Sequence, residues 1–166
     1  MPNFREEQRF APWVYWIAIG TAIAGLAGPP IAAMLAKDPS AIIPVLLVEL
    51  FVAVLMALPF NMLFIVTQVT EQQVVVSFGR WFTIYRKRIQ LHDIQEARPV
   101  YYRPIWDAGG WGIRRGRFEG KRCAFLNARG DRGVFLVYGS EKHLVIGSQE
   151  PEQLADVIRK GAGLSG

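Results

Sequence analysis

The sequence predicts a membrane helical hairpin followed by a strand-rich cytoplasmic domain, a β-barrel or bent sheet that a C-terminal helix caps. Two long apolar runs, about 12–36 and 41–66, are each long enough to cross a hydrocarbon core of about 30 Å as a helix. After residue 66 the chain changes to short segments rich in Val, Thr and aromatic residues, which is typical of strands. The polar segment 1–10 is expected to be a short cytoplasmic arm.

Both apolar runs carry a row of residues at every fourth position. In the first run the row consists of small residues: Gly20, Ala24, Gly28, Ala32 and Ala36. In the second it consists of Glu49, Ala53, Ala57 and Asn61. Small residues at this spacing allow membrane helices to approach closely. If the chain turns at Asp38-Pro39, Glu49 faces Gly28 and Asn61 faces Trp16, so we predict that the two rows meet as a helix-packing or partner contact.

Glu49 is the one formal charge inside either run. A charge at the centre of a membrane helix costs about 3 kcal/mol on insertion scales, so such groups pair, become protonated or face a cavity. One interpretation is a neutral Glu49 that donates a hydrogen bond to a carbonyl freed by Pro29 or Pro30. The other is a contact with another membrane subunit, or a proton site. Both interpretations stay open at this stage.

The distribution of basic residues predicts the topology. Arg5 and Arg9 precede the first run, and a cluster that includes Arg86 follows the second, whereas the connection 37–40 offers only Lys37 beside Asp38. The positive-inside rule therefore predicts that both termini are cytoplasmic and that the protein lies in the inner (cytoplasmic) membrane. Residues 67–166 carry a net charge of +6, more than the +5 of the whole chain.

The domain 67–166 is expected to contain seven or eight strands, a loop over 103–110 and a helix over 151–160. The predicted strands are 67–70, 73–78, 81–89, 94–102, 111–116, 122–128, 133–138 and 142–146. The helix has proline in its first turn and Gly161 at its end, which are typical helix boundaries.

Four segments of this domain suggest a relationship: Arg103-Pro104-Ile105, the glycine-rich run 109–114, Gly133-Val134-Phe135-Leu136, and Ile146-Gly147-Ser148 leading into Pro151-Glu152. On these residues the chain resembles the small bacterial membrane proteins that have two transmembrane helices followed by a bacterial pleckstrin-homology-like (PH-like) domain. The resemblance implies a PH-like fold and a membrane location, and it supplies no reaction.

The sequence shows no chemistry typical of an enzyme. It has no nucleophile–base pair, phosphate-binding loop or paired carboxylates. His92 and His143 lie far apart and lack metal-ligand spacing with Cys123, the single cysteine, which also excludes an internal disulfide. We therefore expect no catalytic residues, no metal and no cofactor.

Basic and aromatic residues alternate in the domain and form a candidate docking surface: Trp81, Tyr85, Trp106, Trp111, Arg114 and Arg115. Near an anionic leaflet each Lys or Arg contributes about 1 kcal/mol, and aromatic residues are also enriched in protein interfaces. Alternatively, these charges only keep the domain soluble. RNA could bind such a surface, but the hairpin holds it at the membrane, so no nucleic acid is expected as a partner.

Two functions are compatible with these features. The first is a non-catalytic, membrane-anchored interaction protein that scaffolds or stabilises a larger membrane complex, with other membrane subunits as partners. The second is a sensor or binder of an anionic lipid or a small ligand at the cytoplasmic membrane surface, with lipid headgroups as partners.

Overall fold

The computed structural model describes residues 3–36, 40 and 42–164. The chain forms two compact units. One is the hairpin unit, Phe10–Met62; the other, here called the strand domain, combines the N-terminal segment up to Arg9 with the chain from Leu63 onward. The predicted connection 37–40 lies, apart from Ser40, outside the described residues.

The hairpin unit consists of α1 (Pro12–Ala36) and α2 (Ile42–Met62). Both are long and apolar enough to cross a membrane, judged by length and composition. The second apolar run was expected to stay helical to residue 66, but α2 ends at Met62 and a strand begins at Phe64. The residues after Phe64 are Ile, Val and Thr, whose β-branched side chains favour a strand once a pairing partner is present.

The first sheet contains four strands in the order β1 (Phe4–Arg9), β2 (Phe64–Val69), β3 (Gln73–Phe78) and β4 (Tyr85–Gln90), all antiparallel. The N-terminal segment was expected to be a polar arm. Instead, residues 4–9 form an edge strand that pairs along the whole of β2. Its polar appearance is misleading because Phe4 and Gln8 are buried while the residues between them are partly or fully exposed.

The second sheet contains β5 (Ile94–Tyr101), β6 (Gly112–Phe118), β7 (Lys121–Asn127), β8 (Arg132–Tyr138) and β9 (Lys142–Gly147). Their order is β5-β8-β9-β7-β6, so β9 lies between β8 and β7 and runs parallel to β7. The strands thus form two open sheets, so of the two expected alternatives, a β-barrel or a bent sheet, the barrel is wrong. The PH-like character of the domain stays a prediction.

Two helices accompany the second sheet. The short helix α3 (Pro104–Ala108) occupies the segment expected to be a loop, and α4 (Pro151–Ala162) is the predicted C-terminal helix. Helix α3 packs on β6 at Gly116, where a Cβ atom would overlap the Asp107 carbonyl. Helix α4 buries Leu154, Ala155 and Ile158 and contacts β5 and β8. Helix α3 contributes Ala108 to a core cluster centred on the fully buried Phe125, Phe135 and Val145.

A carboxylate on β1 joins the N-terminal strand to the second sheet. Glu6 accepts a hydrogen bond from Ser148 Oγ at 2.6 Å and another from the backbone N–H of Gln149 at 2.7 Å. Next to it, the buried Gln8 side chain donates to the Gly147 carbonyl at 2.6 Å. Residues 147–149 connect β9 to α4, so β1 is bound both to β2 and to the end of the second sheet.

We expect replacement of Glu6 with Ala to lower the free energy of unfolding of the strand domain by about 1–3 kcal/mol, because three hydrogen bonds, one of them from the Gln8 side chain, lose their charged acceptor. Denaturant titration of the full chain in detergent, followed by tryptophan fluorescence, measures this change. The exposed neighbour Glu7 is the matched control, and Glu7→Ala should change the same free energy by less than about 0.5 kcal/mol. The double variant Glu6→Ala/Ser148→Ala should cost less than the sum of the single changes. Strictly additive costs would contradict the contact.

Candidate functional site

The two helices of the hairpin pack through a different row of small residues from the predicted one. The partly covered face of α1 includes Ala18, Ala22 and Gly25. A Cβ atom on Gly25 would lie 3.4 Å from Val52 Cγ1. This contact agrees with the predicted antiparallel register, in which Glu49 lies opposite Gly28. The packing face is therefore rotated from the predicted row.

The predicted row lies on the exposed side of α1 within the hairpin. Gly20, Ala24 and Gly28 are all exposed, and nothing lies within 4 Å of a Cβ atom placed on Gly20 or Gly28. The side chains of Ala32, Ala36 and Ala57 lie outside those that the structure describes. The row thus remains available for a contact with a partner helix, and this role stays a prediction.

Glu49 lies on the same side of α2 as Val52, three residues away, and is half-buried. Its Oε1 atom is buried and has no hydrogen-bond partner among the described residues. A buried polar atom without a partner costs free energy, which a polar group from another molecule would offset. Asn61, near the end of α2, is fully buried.

Both connections to the hairpin unit leave the same end of the first sheet. Arg9, the last residue of β1, is paired with Phe64, the first residue of β2. The turn that follows β3 begins at the same end of the sheet, because the Gly79 N–H donates to the Phe64 carbonyl at 3.0 Å. The guanidinium groups of Arg9 and Arg80 lie 5.6 and 5.0 Å from the Phe64 ring centroid. Aromatic and basic side chains are therefore concentrated where the helices connect to the sheet.

The six predicted docking residues do not all line one groove. Trp81 lies in the turn between β3 and β4 and is 69% exposed, and Trp106 lies on α3 and is 81% exposed. Trp111 is half-buried, and the Arg114 Nε–H donates to its carbonyl at 3.1 Å. Tyr85 is half-buried and forms an edge-to-face contact with Phe78, with ring centroids 5.9 Å apart. The tyrosine and the two arginines share one groove, and Arg115 also lines a second groove together with Trp106, whereas Trp81 lines neither.

This groove, here called the basic groove, has a volume of about 510 Å³ and lies between the edge strand β4 and the strands β6, β7 and β9. Its basic lining residues are Lys87, Arg114, Arg115, Arg122, Lys142 and His143, and its one acidic residue is Glu141. Tyr85 and Tyr138 provide aromatic walls, and the Lys87 ammonium lies 5.4 Å from the Tyr138 ring centroid. A groove with this charge excess attracts anions.

The cations of the basic groove are not neutralised by neighbouring carboxylates. Across the part of the chain that the structure describes, no ion pair involves Lys87, Arg115, Arg122 or Lys142. Arg122 also pairs directly with Arg117 across β6 and β7, an arrangement of like charges that destabilises a sheet. The sequence indicated Lys87 as part of a basic segment but did not indicate Lys142, because only the fold brings β4 and β9 to the same groove.

A second, larger groove of about 750 Å³ lies beside α3. Trp106 and Asp107 of the helix line one side, and Arg117, Arg122 and Cys123 line the other. Ile105, next to Trp106, is 62% exposed. An apolar helix surface beside arginines is a typical composition for a protein interface.

The histidines and the cysteine do not form a three-ligand group among the described residues, although Cys123 and His143 each lie one position before the paired residues Ala124 and Leu144 on adjacent strands. His92 lies 3.5 Å from its sequence neighbour Asp93, and His143 stacks on Phe135. Among the described residues there is no group of three or more His, Cys, Asp or Glu side chains that could hold a metal ion. Cys123 is buried, and burial raises the pKa of its thiol to about 12.

Comparison of the chain with protein-family models, curated proteins and solved structures gives no match. The resemblance to bacterial proteins with a PH-like domain therefore stays a prediction.

The buried Cys123 thiol should make the strand domain lose stability at alkaline pH. Its pKa is raised from 9.0 to about 12, so the folded state keeps the proton that the unfolded chain releases. The free energy of unfolding should fall as the pH rises from about 9 towards about 12. Thermal unfolding of the full chain in detergent across this range measures the effect.

A Cys123→Ala variant tests the assignment. The buried Tyr102, whose pKa is raised from 10.0 to about 12, acts in the same direction but only above pH 10. The variant should therefore flatten the pH dependence first between about pH 9 and pH 10. An unchanged dependence in that interval would show that the thiol does not contribute.

Proposed function

We propose that this protein is a non-catalytic, membrane-anchored interaction protein that scaffolds or stabilises a larger membrane complex. The hairpin unit supplies the anchor, and the strand domain supplies the docking surface at the membrane. The observation that carries the proposal is the pairing of Arg9 with Phe64, because it connects the domain to both helices through adjacent strands. A domain attached at two neighbouring points, with almost no linker, stays beside the bilayer.

The same pairing supports the proposed topology. If α1 and α2 cross the membrane, the start of α1 and the end of α2 lie on one side, since β1 and β2 are hydrogen-bonded neighbours. By the positive-inside rule, the basic residues of the strand domain favour the cytoplasm for this side. We therefore propose a bacterial inner-membrane protein with both termini in the cytoplasm. Its strand domain is proposed to be of the PH-like type.

Two features favour a protein partner. In the hairpin, Glu49 has a buried carboxyl oxygen without a partner among the described residues, and the row that contains Gly20 and Gly28 is exposed. In the strand domain, α3 displays Trp106 and Ile105 beside arginines. Exposed tryptophan is enriched at the energetic centres of interfaces.

One observation favours a second candidate function, the binding of an anionic lipid or small anionic ligand. The basic groove contains cations without ion-pair partners among the described residues, so an anion there would relieve their mutual repulsion. This function would make the protein a sensor at the membrane surface.

The scaffold function predicts that partner subunits remain bound after extraction in mild detergent. Mass spectrometry of the purified full chain should find a defined set of membrane proteins, and Trp106→Ala should reduce their recovery about tenfold or more, as for truncation of an interface hot spot. Arg129→Glu, in the exposed turn between β7 and β8, is the matched control and should retain them. A monodisperse monomer with no retained subunit would contradict the scaffold function.

The second function predicts a different result with the double variant Arg114→Glu/Arg115→Glu. The full chain in nanodiscs should bind soluble inorganic phosphate or anionic liposomes in a salt-dependent manner, and the double variant should lose this binding while retaining its fold. Unchanged binding would contradict this function and would indicate that the cations of the basic groove only keep the domain soluble.

A further inference from the structure

We infer that the turn between β3 and β4, residues 79–84, is a second membrane anchor that lies in the headgroup region of the bilayer crossed by the hairpin. It is called the junction loop below. The inference rests on the proposed function only in requiring that α1 and α2 span the membrane. It adds a lipid contact in the strand domain itself.

The position of the junction loop follows from the ladder of the first sheet. Phe78, the last residue of β3, pairs with Ile65 of β2 and with Tyr85 of β4. The chain passes from the hairpin into β2 at the same end of this ladder, because Phe64 directly precedes Ile65. The Gly79 N–H is bonded to the Phe64 carbonyl, and Phe64 lies two residues after the end of α2. The loop therefore starts one hydrogen bond away from the chain that leaves the helix.

The loop is held in a defined conformation. The Ile84 N–H donates to the Phe78 carbonyl at 3.0 Å and closes the turn. Gly79 has a φ of 118°, which L side chains rarely adopt. The Arg80 guanidinium stacks 5.0 Å from the Phe64 ring centroid, and Arg86 donates to Thr83 Oγ1 at 3.3 Å. These contacts present the loop side chains at a fixed place relative to β2.

The exposed side chains of the loop are those that favour a membrane interface. Trp81 is 69% exposed, Phe82 47% and Ile84 42%. Three large apolar side chains within four residues form a patch of the kind that marks a protein or membrane contact. Arg80 and Arg86 flank the patch, and tryptophan with arginine is the composition found where membrane proteins meet headgroups.

The opposite end of the same sheet has the opposite character. Its exposed turns carry Glu71, Gln72, His92 and Asp93. β4 has six residues, so about 20 Å separate this polar end from the junction loop. Among the described residues of this sheet, the exposed large apolar side chains thus lie at the end from which the chain enters the hairpin. Lipid explains this distribution better than a protein partner, because the connection to α2 already brings that end to the bilayer.

Site-directed spin labelling of the full chain tests the inference. Cysteine is introduced at Ile84, and the labelled protein is placed in nanodiscs of phosphatidylcholine and phosphatidylglycerol. Power saturation then compares collisions of the label with oxygen, which concentrates in the bilayer, and with a water-soluble nickel chelate. The Ile84→Cys label should collide more with oxygen. Native Cys123 is buried, so the unsubstituted chain should take up little label and serves as the background.

Two further positions provide the controls. A label at Ser140→Cys, in the exposed turn that follows β8, should collide more with the nickel chelate, because the Gly139 N–H is bonded to Asp93 at the polar end. A label at Ile23→Cys, exposed in the middle of α1, should lie in the acyl region. Phe82→Cys provides a second loop position in case the Ile84 substitution disturbs the turn.

The outcomes separate the two proposals. If the Ile23 label lies in the bilayer but both loop labels behave like Ser140, the hairpin spans the membrane and the loop inference is wrong. Loop labels shielded from both reagents would indicate a protein contact and would also overturn it. If the Ile23 label itself is exposed to the nickel chelate, the spanning hairpin fails, and the loop inference fails with it.

Discussion

The pairing of β1 with β2 is the constraint on which the rest of the structure depends. It joins residue 9 to residue 64 and so brings both ends of the hairpin to neighbouring strands. β1 is an edge strand with a single neighbouring strand, and its side chains supply the remaining attachment. Glu6 and Gln8 bind the segment between β9 and α4, which ties this edge to the second sheet. The chain that leads into the hairpin unit and the C-terminal helix are thus connected through one short N-terminal strand.

The local patterns of the sequence were sufficient to predict most helices and strands. Alternating Val and Ile in β3 and β8, and proline and glycine at the ends of α4, act over a few residues and can be recognised without a partner. β1 could not be predicted in this way, because FREEQR becomes a strand only beside a partner more than fifty residues away. The end of α2 was missed because an apolar run does not distinguish a membrane helix from a buried strand.

The arrangement of strands and surfaces depends on long-range pairing. No local signal indicates that β9 lies parallel to β7, or that this pairing brings Lys142 to the same groove as Lys87. The sequence identified the aromatic and basic residue types, but their grouping follows from the fold. Trp81 and Trp106 proved highly exposed, whereas Trp111 and Tyr85 are half-buried. Likewise, the four-residue spacing in α1 indicated small residues but not which of two adjacent rows packs on α2.

The central claim is that the hairpin crosses the membrane and returns both of its ends to one side, beside the strand domain. Labelling of intact and opened membrane vesicles with an impermeant thiol reagent tests it most directly. Cysteine at Ser40, between α1 and α2, and cysteine at Ser140, in the strand domain, should react from opposite sides of the bilayer. Reaction of both positions from the same side would contradict the account.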